Sequence, residues 1–241
     1  MTEDAPQLYL IAPALMPASE LGDRLSAVLD AHPVACLRLP GAGDESELGR
    51  IADLARGIAH AREVAVVIED HVALALRHGL DGVHLTGGPR GVRHARKELG
   101  ADAIVGAFCG ASRHDGMAAG EAGADYVSLG PCGPTALGSG EPAGLELFQW
   151  WSEMIEVPVV AEGALDAALI RALWPHADFI AIGPEIWSGD GPAAALSALW
   201  GERGAALAGA LRAPMGSHHH SHPLGYFRPS ERRLVAGRAR A

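Results

Sequence analysis

Short apolar runs alternate along the chain with segments whose apolar positions recur every three or four residues. The runs are LYLIAP from Leu8, VACLRL from Val34, VAVVIE from Val64, GVHLT from Gly82, AIVGAF from Ala103, YVSLGP from Tyr126, PVVAEG from Pro158 and FIAIGP from Phe179. Runs apolar at nearly every position suit strands covered on both faces, as in a parallel sheet. Helical spacing fills the intervals. Ser19 precedes ELGDRLSAVLDAH and Asp44 precedes ESELGRIADLARGIAHA, each setting a capping side chain ahead of acid in the first turn.

Eight strand–helix units in sequence predict a single (β/α)₈ TIM barrel of the α/β class. A doubly wound open sheet would alternate too, but usually with fewer units, and neither GxGxxG nor GxxxxGK[ST] is present to favour it. No internal repeat sharper than the alternation itself is visible. The pattern assigns residues 1–212 to the barrel and 213–241 to a flexible His/Arg-rich tail. That tail has no apolar period, and its MGSHHHSH string resembles an expression-tag scar.

Composition narrows the class. At 241 residues, 49% hydrophobic and 20% charged, the chain has the make-up of a folded soluble domain. No apolar run approaches the roughly 20 residues of a membrane span. The N-terminal MTEDAPQ lacks the basic and apolar order of a signal peptide, which predicts a cytoplasmic protein without a membrane partner. The net charge of −10 is uneven, −14 over residues 1–212 and +4 over the tail. An acidic body repels phosphate backbones, so nucleic acid is not expected as a partner, while a homo-oligomer remains compatible with the sequence. Cys36, Cys109 and Cys132 are widely spaced with no CxxC, excluding a disulfide framework. Lys97 is the only lysine and falls in a helical segment, which excludes a Schiff-base chemistry that needs a strand-borne lysine.

In such a barrel the site lies at the carboxyl ends of the strands. Reading those ends gives Cys36 and Arg38, Glu69 with Asp70 and His71, and His84 with Thr86. Phe108 and Cys109 follow, then Pro131, Cys132 and Thr135, Glu162 and Gly163, and Gly183 with Pro184. Glu69 and Asp70 can share a divalent cation or supply a general base; alternatively Asp70 caps the next helix and Glu69 faces solvent. Arg38 can grip a substrate phosphate or pair with Glu69, and Glu162 can be a buried acid satisfied by Arg38. His84 reads as the holder of a core hydrogen bond, and His60, His78, His94 and His114 as helix-surface residues. The cysteines can form a thiol or metal site or serve as small hydrophobes.

Four of these segments together resemble the thiamine-phosphate synthase family, with its thiazole-tautomerase relatives, over about residues 8–185. IEDHVALALRHGLDGVHL from Ile68 is similar to INDRxDLAxxxGADGVHL, and GADYVSLGPCGPT from Gly123 to GADYxxxGPxFPTxTK. PVVAEGAL from Pro158 is similar to PVVAIGGI, and CLRLP from Cys36 to QLRxK. The family joins a hydroxymethylpyrimidine diphosphate to a thiazole phosphate, releasing pyrophosphate with magnesium. The resemblance therefore implies a small phosphorylated heterocycle as ligand. It implies substrate-binding roles for Cys36, Arg38, Glu69, Thr135, Gly163 and Gly183, and a magnesium-ligand role for Asp70.

The chain departs from the pattern where charge matters most. Cys36 and Pro40 replace the glutamine and lysine of QLRxK, and Glu69 and His71 the asparagine and arginine of NDR. Pro89 stands near the second metal aspartate, Gly138 at the lysine after PTxT, and Pro184 at the serine of the last loop. The tautomerase histidine is replaced by Pro131. Losing one preorganised contact commonly costs about 10²–10³ in rate, so the expectation is a degenerate site with impaired coupling. The alternatives are a catalytically silent barrel that binds a related heterocyclic phosphate or a protein partner, or a different reaction using Glu69, Glu162 and the cysteines.

Overall fold

The computed structural model describes residues 5–14 and 16–211, with side chains described up to position 201. The His/Arg-rich segment 213–241 lies outside the described residues. Eight parallel strands close into a barrel in sequence order: β1 (Gln7–Ile11), β2 (Val34–Leu39), β3 (Ala65–Glu69), β4 (Gly82–Leu85), β5 (Ile104–Phe108), β6 (Tyr126–Leu129), β7 (Val159–Ala161) and β8 (Phe179–Ile182), with β8 pairing back onto β1. Around them run α1 (Ala18–Ala31), α2 (Glu45–His60), α3 (Val72–His78), α4 (Val92–Leu99), α5 (Arg113–Ala122), α6 (Leu145–Met154) and α7 (Ala167–Leu173). A short α8 (Pro184–Trp187) and the longer α9 (Pro192–Leu211), kinked at Gly201, complete the described chain.

Strand side chains alternate between two packed layers. Leu10, Leu37, Ile68, Val83, Val127 and Ile180 point outward into the core shared with the helices. Tyr9, Cys36, Val67, Ile104, Tyr126, Val160 and Phe179 fill the lumen. Both layers are shut to water, which is why the strands read as continuous apolar runs. Gly106 exists for this packing, since a Cβ there would overlap the Tyr126 ring.

The base of the barrel carries a repeated device that the sequence reading missed. Asp81, Asp125 and Asp178 each precede an even-numbered strand, and each carboxylate accepts a backbone N–H of the strand before it: Val66 at 2.7 Å, Val105 at 2.8 Å and Val159 at 2.8 Å. The amide of each aspartate donates back to the carbonyl of that same valine. The reciprocal pair satisfies strand-start groups that the ladder leaves open. Its signature is visible in retrospect as LDGVHL, ADYVSL and ADFIAI.

Two capping expectations part ways. Asp44 caps α2, accepting from the amides of Ser46 and Glu47. Ser19 does not cap α1, which starts one residue earlier behind Pro17; the Ala18 amide is taken by Glu47 of the neighbouring helix. A tertiary acceptor thus replaces the local one.

Candidate active site

The strand ends and the lumen beneath them hold one continuous polar network. Arg38, on β2 and 5% exposed, donates from one terminal nitrogen to Glu162 Oε2 at 2.7 Å and from the other to His84 Nε2 at 2.9 Å. Its Nε lies 3.2 Å from Glu69 Oε1 without an aligned hydrogen bond. Glu162, the first residue past β7 and 1% exposed, also accepts from the Ser128 hydroxyl. Both open readings therefore resolve toward pairing: Arg38 is held between Glu162 and Glu69.

A guanidinium has no acceptor, so His84 Nε2 must accept and Nδ1 must carry the proton. Nδ1 then donates to the Tyr126 hydroxyl at 2.9 Å, and Tyr126 meets Tyr9 at 2.7 Å. Burial, then the Arg38 charge, holds the imidazole well below its ordinary pKa, so it is neutral. Burial likewise lifts both phenols well above their usual range. Burial opposes the Arg38 cation, but Glu162 foremost, with Tyr9 and Glu69, outweighs it and raises its proton affinity. The buried hydrogen bonds make the network a fixed frame around Arg38.

The other predicted residues are placed as follows. Glu69 is partly exposed and also accepts the Gly41 amide at 3.2 Å, so it does not simply face solvent. Asp70, at φ 57°, turns its carboxylate back to the amide and hydroxyl of Thr86. It does not cap α3, whose N-cap is His71; the left-handed backbone aims the side chain away from the helix. Cys36 is fully buried in the lumen among Tyr9 and Val67 and is not brought to the mouth. Cys109 and Cys132 are pushed up to about 12, chiefly by burial, which makes them poor nucleophiles. Thr135 is exposed on the β6–α6 loop. That loop is zipped to the one after β7, the amides of Cys132 and Gly133 donating to the carbonyls of Glu162 and Gly163. Gly163, at φ 94°, lies so close to Pro131 that a side chain would collide.

Three participants escaped the sequence reading. Tyr126 and Ser128 share the lumen face of β6, a period-two signal present in YVSL. Glu185, in α8, accepts the Gly183 amide at 2.8 Å and the Leu165 amide at 3.3 Å. Its only local signal is an acid just after the last strand. At the same end of the barrel, a cavity of about 260 Å³ is lined by Ala14, Met16, Pro17, Leu48 and Ile51, with Asp44 and Glu47 at its edge. Asp44 accepts from the α2 amides and Glu47 pairs with Arg50.

Known proteins bear on this arrangement. Residues 8–186 match the family described as thiamine monophosphate synthase. The thiamine-phosphate synthase of Rhodospirillum centenum is 44% identical over 198 residues, covering 79% of this chain and 94% of that protein. The thiamine-phosphate synthase of Erythrobacter litoralis is 40% identical over 200 residues, covering 80% and 93%. The solved thiamine phosphate pyrophosphorylase from Pyrococcus furiosus superposes with a TM-score of 0.71 at 22% identity, covering 83% of this chain and 96% of that one, a likeness of fold. A family match spanning most of the barrel, and relatives matched over nearly their whole length, lead to one conclusion: the chain is a thiamine-phosphate synthase-like barrel and belongs to the thiamine monophosphate synthase family.

Proposed function

We propose that this barrel binds the heterocyclic precursors of thiamine at its carboxyl end, and that it couples a pyrimidine diphosphate to a thiazole phosphate far more slowly than family members that carry the pattern's lysines. The observation that carries the reading is the clamping of Arg38 between Glu162 and Glu69. In the coupling, the thiazole nitrogen forms a bond to the exocyclic carbon of the pyrimidine. The carbon–oxygen bond to the diphosphate breaks, and its electron pair leaves with the diphosphate. That departing anion needs positive charge. Here the guanidinium spends one arm on a buried carboxylate and another on His84, and a diphosphate would have to displace Glu69 to reach it.

Magnesium does not fit the donor set. Asp70 is one carboxylate, both of its oxygens accept from Thr86, and no group of three His, Cys, Asp or Glu side chains converges among the described residues. No step is therefore assigned to the metal. The residues supporting ligand binding are the partly exposed Glu69, Thr135 on its overhanging loop, and Gly163 and Gly183 beside the mouth.

Steady-state turnover of purified protein with both substrates and excess magnesium tests the reading. Expected is a kcat at least about 10³-fold below that of a lysine-bearing family member assayed in parallel. A kcat within tenfold of it would sink the proposal of a weakened coupling step.

A further inference from the structure

Two helix faces on one side of the barrel carry charge that the chain itself does not neutralise. Arg90, Arg93 and Lys97 are exposed and recur at spacings of three and four along the 3₁₀ turn Gly88–Gly91 and α4. That spacing sets them on one stripe, and Glu98, the one acid of α4, falls outside it by the same count. On α6, Glu146 and Glu153 are exposed two turns apart, and the helix has no basic residue. Among the described residues none of these five charged side chains makes an ion pair, whereas both arginines of α2 do. Helices follow their strands in order around the closed barrel, so α5 lies between α4 and α6. Both stripes lean toward it. Arg96 marks the α5 side of α4 by reaching the Gly123 carbonyl, and Arg93 stands one turn before it. Trp150 marks the α5 side of α6, since Arg113 of α5 stacks on its ring at 4.5 Å. Glu146 and Glu153 stand four residues before and three after Trp150, on the same side. Along its middle, α5 shows Met117, 38% exposed, beside the small Ala118.

We propose that this side of the barrel is the contact with a second copy of the chain, the two copies being related by a two-fold axis that runs alongside α5, parallel to the barrel axis. Such an axis exchanges left and right but preserves height. The basic stripe of each copy therefore faces the acidic stripe of the other, with Met117 of both copies near the centre. The heights agree, because α4 and α6 both start at the carboxyl end of the strands, and Arg93 and Glu146 are each the second residue of their helix. A two-fold axis across the barrel axis would instead set α4 on α4 and α6 on α6, like charge against like charge. The order of the charges thus selects the first arrangement, which is self-complementary and closes at two copies. A foreign acidic protein would satisfy the α4 stripe and be repelled by the α6 stripe. A surface with both signs in reversed order satisfies both, and this chain carries one. In the resulting dimer the two barrel mouths open on the same side, clear of the contact, so each site stays accessible to its ligand.

Sedimentation equilibrium of the full chain tests the contact, using two charge-reversed variants and their combination. One variant carries Arg93→Glu with Lys97→Glu, the other Glu146→Arg with Glu153→Arg, and the third all four changes. The wild type is expected to be a dimer at micromolar concentration. Each double variant should dimerise about 100-fold or more weakly, because its altered stripe meets like charge. The fourfold variant should regain the dimer, since both pairings are restored with their signs exchanged. An equimolar mixture of the two double variants should form a mixed dimer, one copy now negative on both stripes and the other positive on both. Rescue of either kind also shows that the double variants are folded. A wild type that stays monomeric overturns the proposal. So does a dimer indifferent to both double reversals, which would place the contact on another face. Loss of the dimer in the double variants, with no rescue by the fourfold variant or the mixture, overturns the pairing of the stripes.

Discussion

Glu162→Ala removes one half of a buried ion pair and leaves the other half in place. Arg38 Nη2 donates to Glu162 Oε2 at 2.7 Å, with side chains 6% and 1% exposed. Without the carboxylate, the guanidinium keeps neutral His84, the partly exposed Glu69 and the face of the Tyr9 ring, while the Ser128 hydroxyl loses its acceptor. Breaking a buried pair from one side costs about 3–5 kcal/mol, a large share of the roughly 5–15 kcal/mol that holds a domain together. At roughly 2–4 °C per kcal/mol for a chain of this size, the melting temperature should fall by about 6–20 °C. Arg38→Met should lose a similar amount, because it strands the Glu162 carboxylate. Replacing both, as in Arg38→Met with Glu162→Leu, leaves no buried charge uncompensated and should cost far less than the two single losses added. Urea unfolding of the four proteins at pH 7 measures the coupling, expected at about 3 kcal/mol or more. A double variant that falls as far as the two singles summed would refute the pairing as the source of the cost.

Three further perturbations probe the same structure. Asp125→Ala strands the Val105 amide at the base of β5 and removes the one carboxylate among the acceptors of Arg96, so denaturant titration should show a loss of about 1–3 kcal/mol; a loss under about 0.5 would dismiss the strand-start device. Burial and the Arg38 charge depress the His84 pKa, so the unfolded chain takes up this proton before the folded one does. The stability it contributes is complete above about pH 6.5 and is lost as pH falls toward the folded value, at up to about 1.4 kcal/mol per unit. His84→Gln should flatten that slope between pH 7 and 5, and an unchanged slope would assign it to other groups. Burial first, then Asp115 for Cys109 and Glu162 for Cys132, pushes these two thiols up to about 12, and burial raises Cys36 as well. An aromatic disulfide reagent at pH 8 should leave all three cysteines unlabelled over minutes in the native protein and label them at once in urea.

The barrel was legible because its information is local and periodic. Each strand is an apolar run at nearly every position, such as VACLRL or FIAIGP, and helical spacing fills the intervals, so the order β-α repeated eight times needs no knowledge of neighbours. Asp44 announced its cap for the same reason, since the amides it serves lie two and three residues away. Ser19 misled because the Ala18 amide found its acceptor on another helix, a partner that no local window contains. The candidate site divides along the same line. The sequence put Arg38, Glu69 and Glu162 at strand ends and left their pairing open. Only closure of β1 onto β8 brings residues 124 positions apart within 2.7 Å and decides that Glu162 takes the guanidinium. Cys36 also sits on a strand end by sequence, yet the register opposite Tyr9 sinks it into the lumen. Glu185 shows the limit most plainly. Its sequence signal is a single acid after a strand, and its meaning comes from the Leu165 amide across the rim. Backbone periodicity is written along the chain, whereas the partner of a charge is chosen by distance in space.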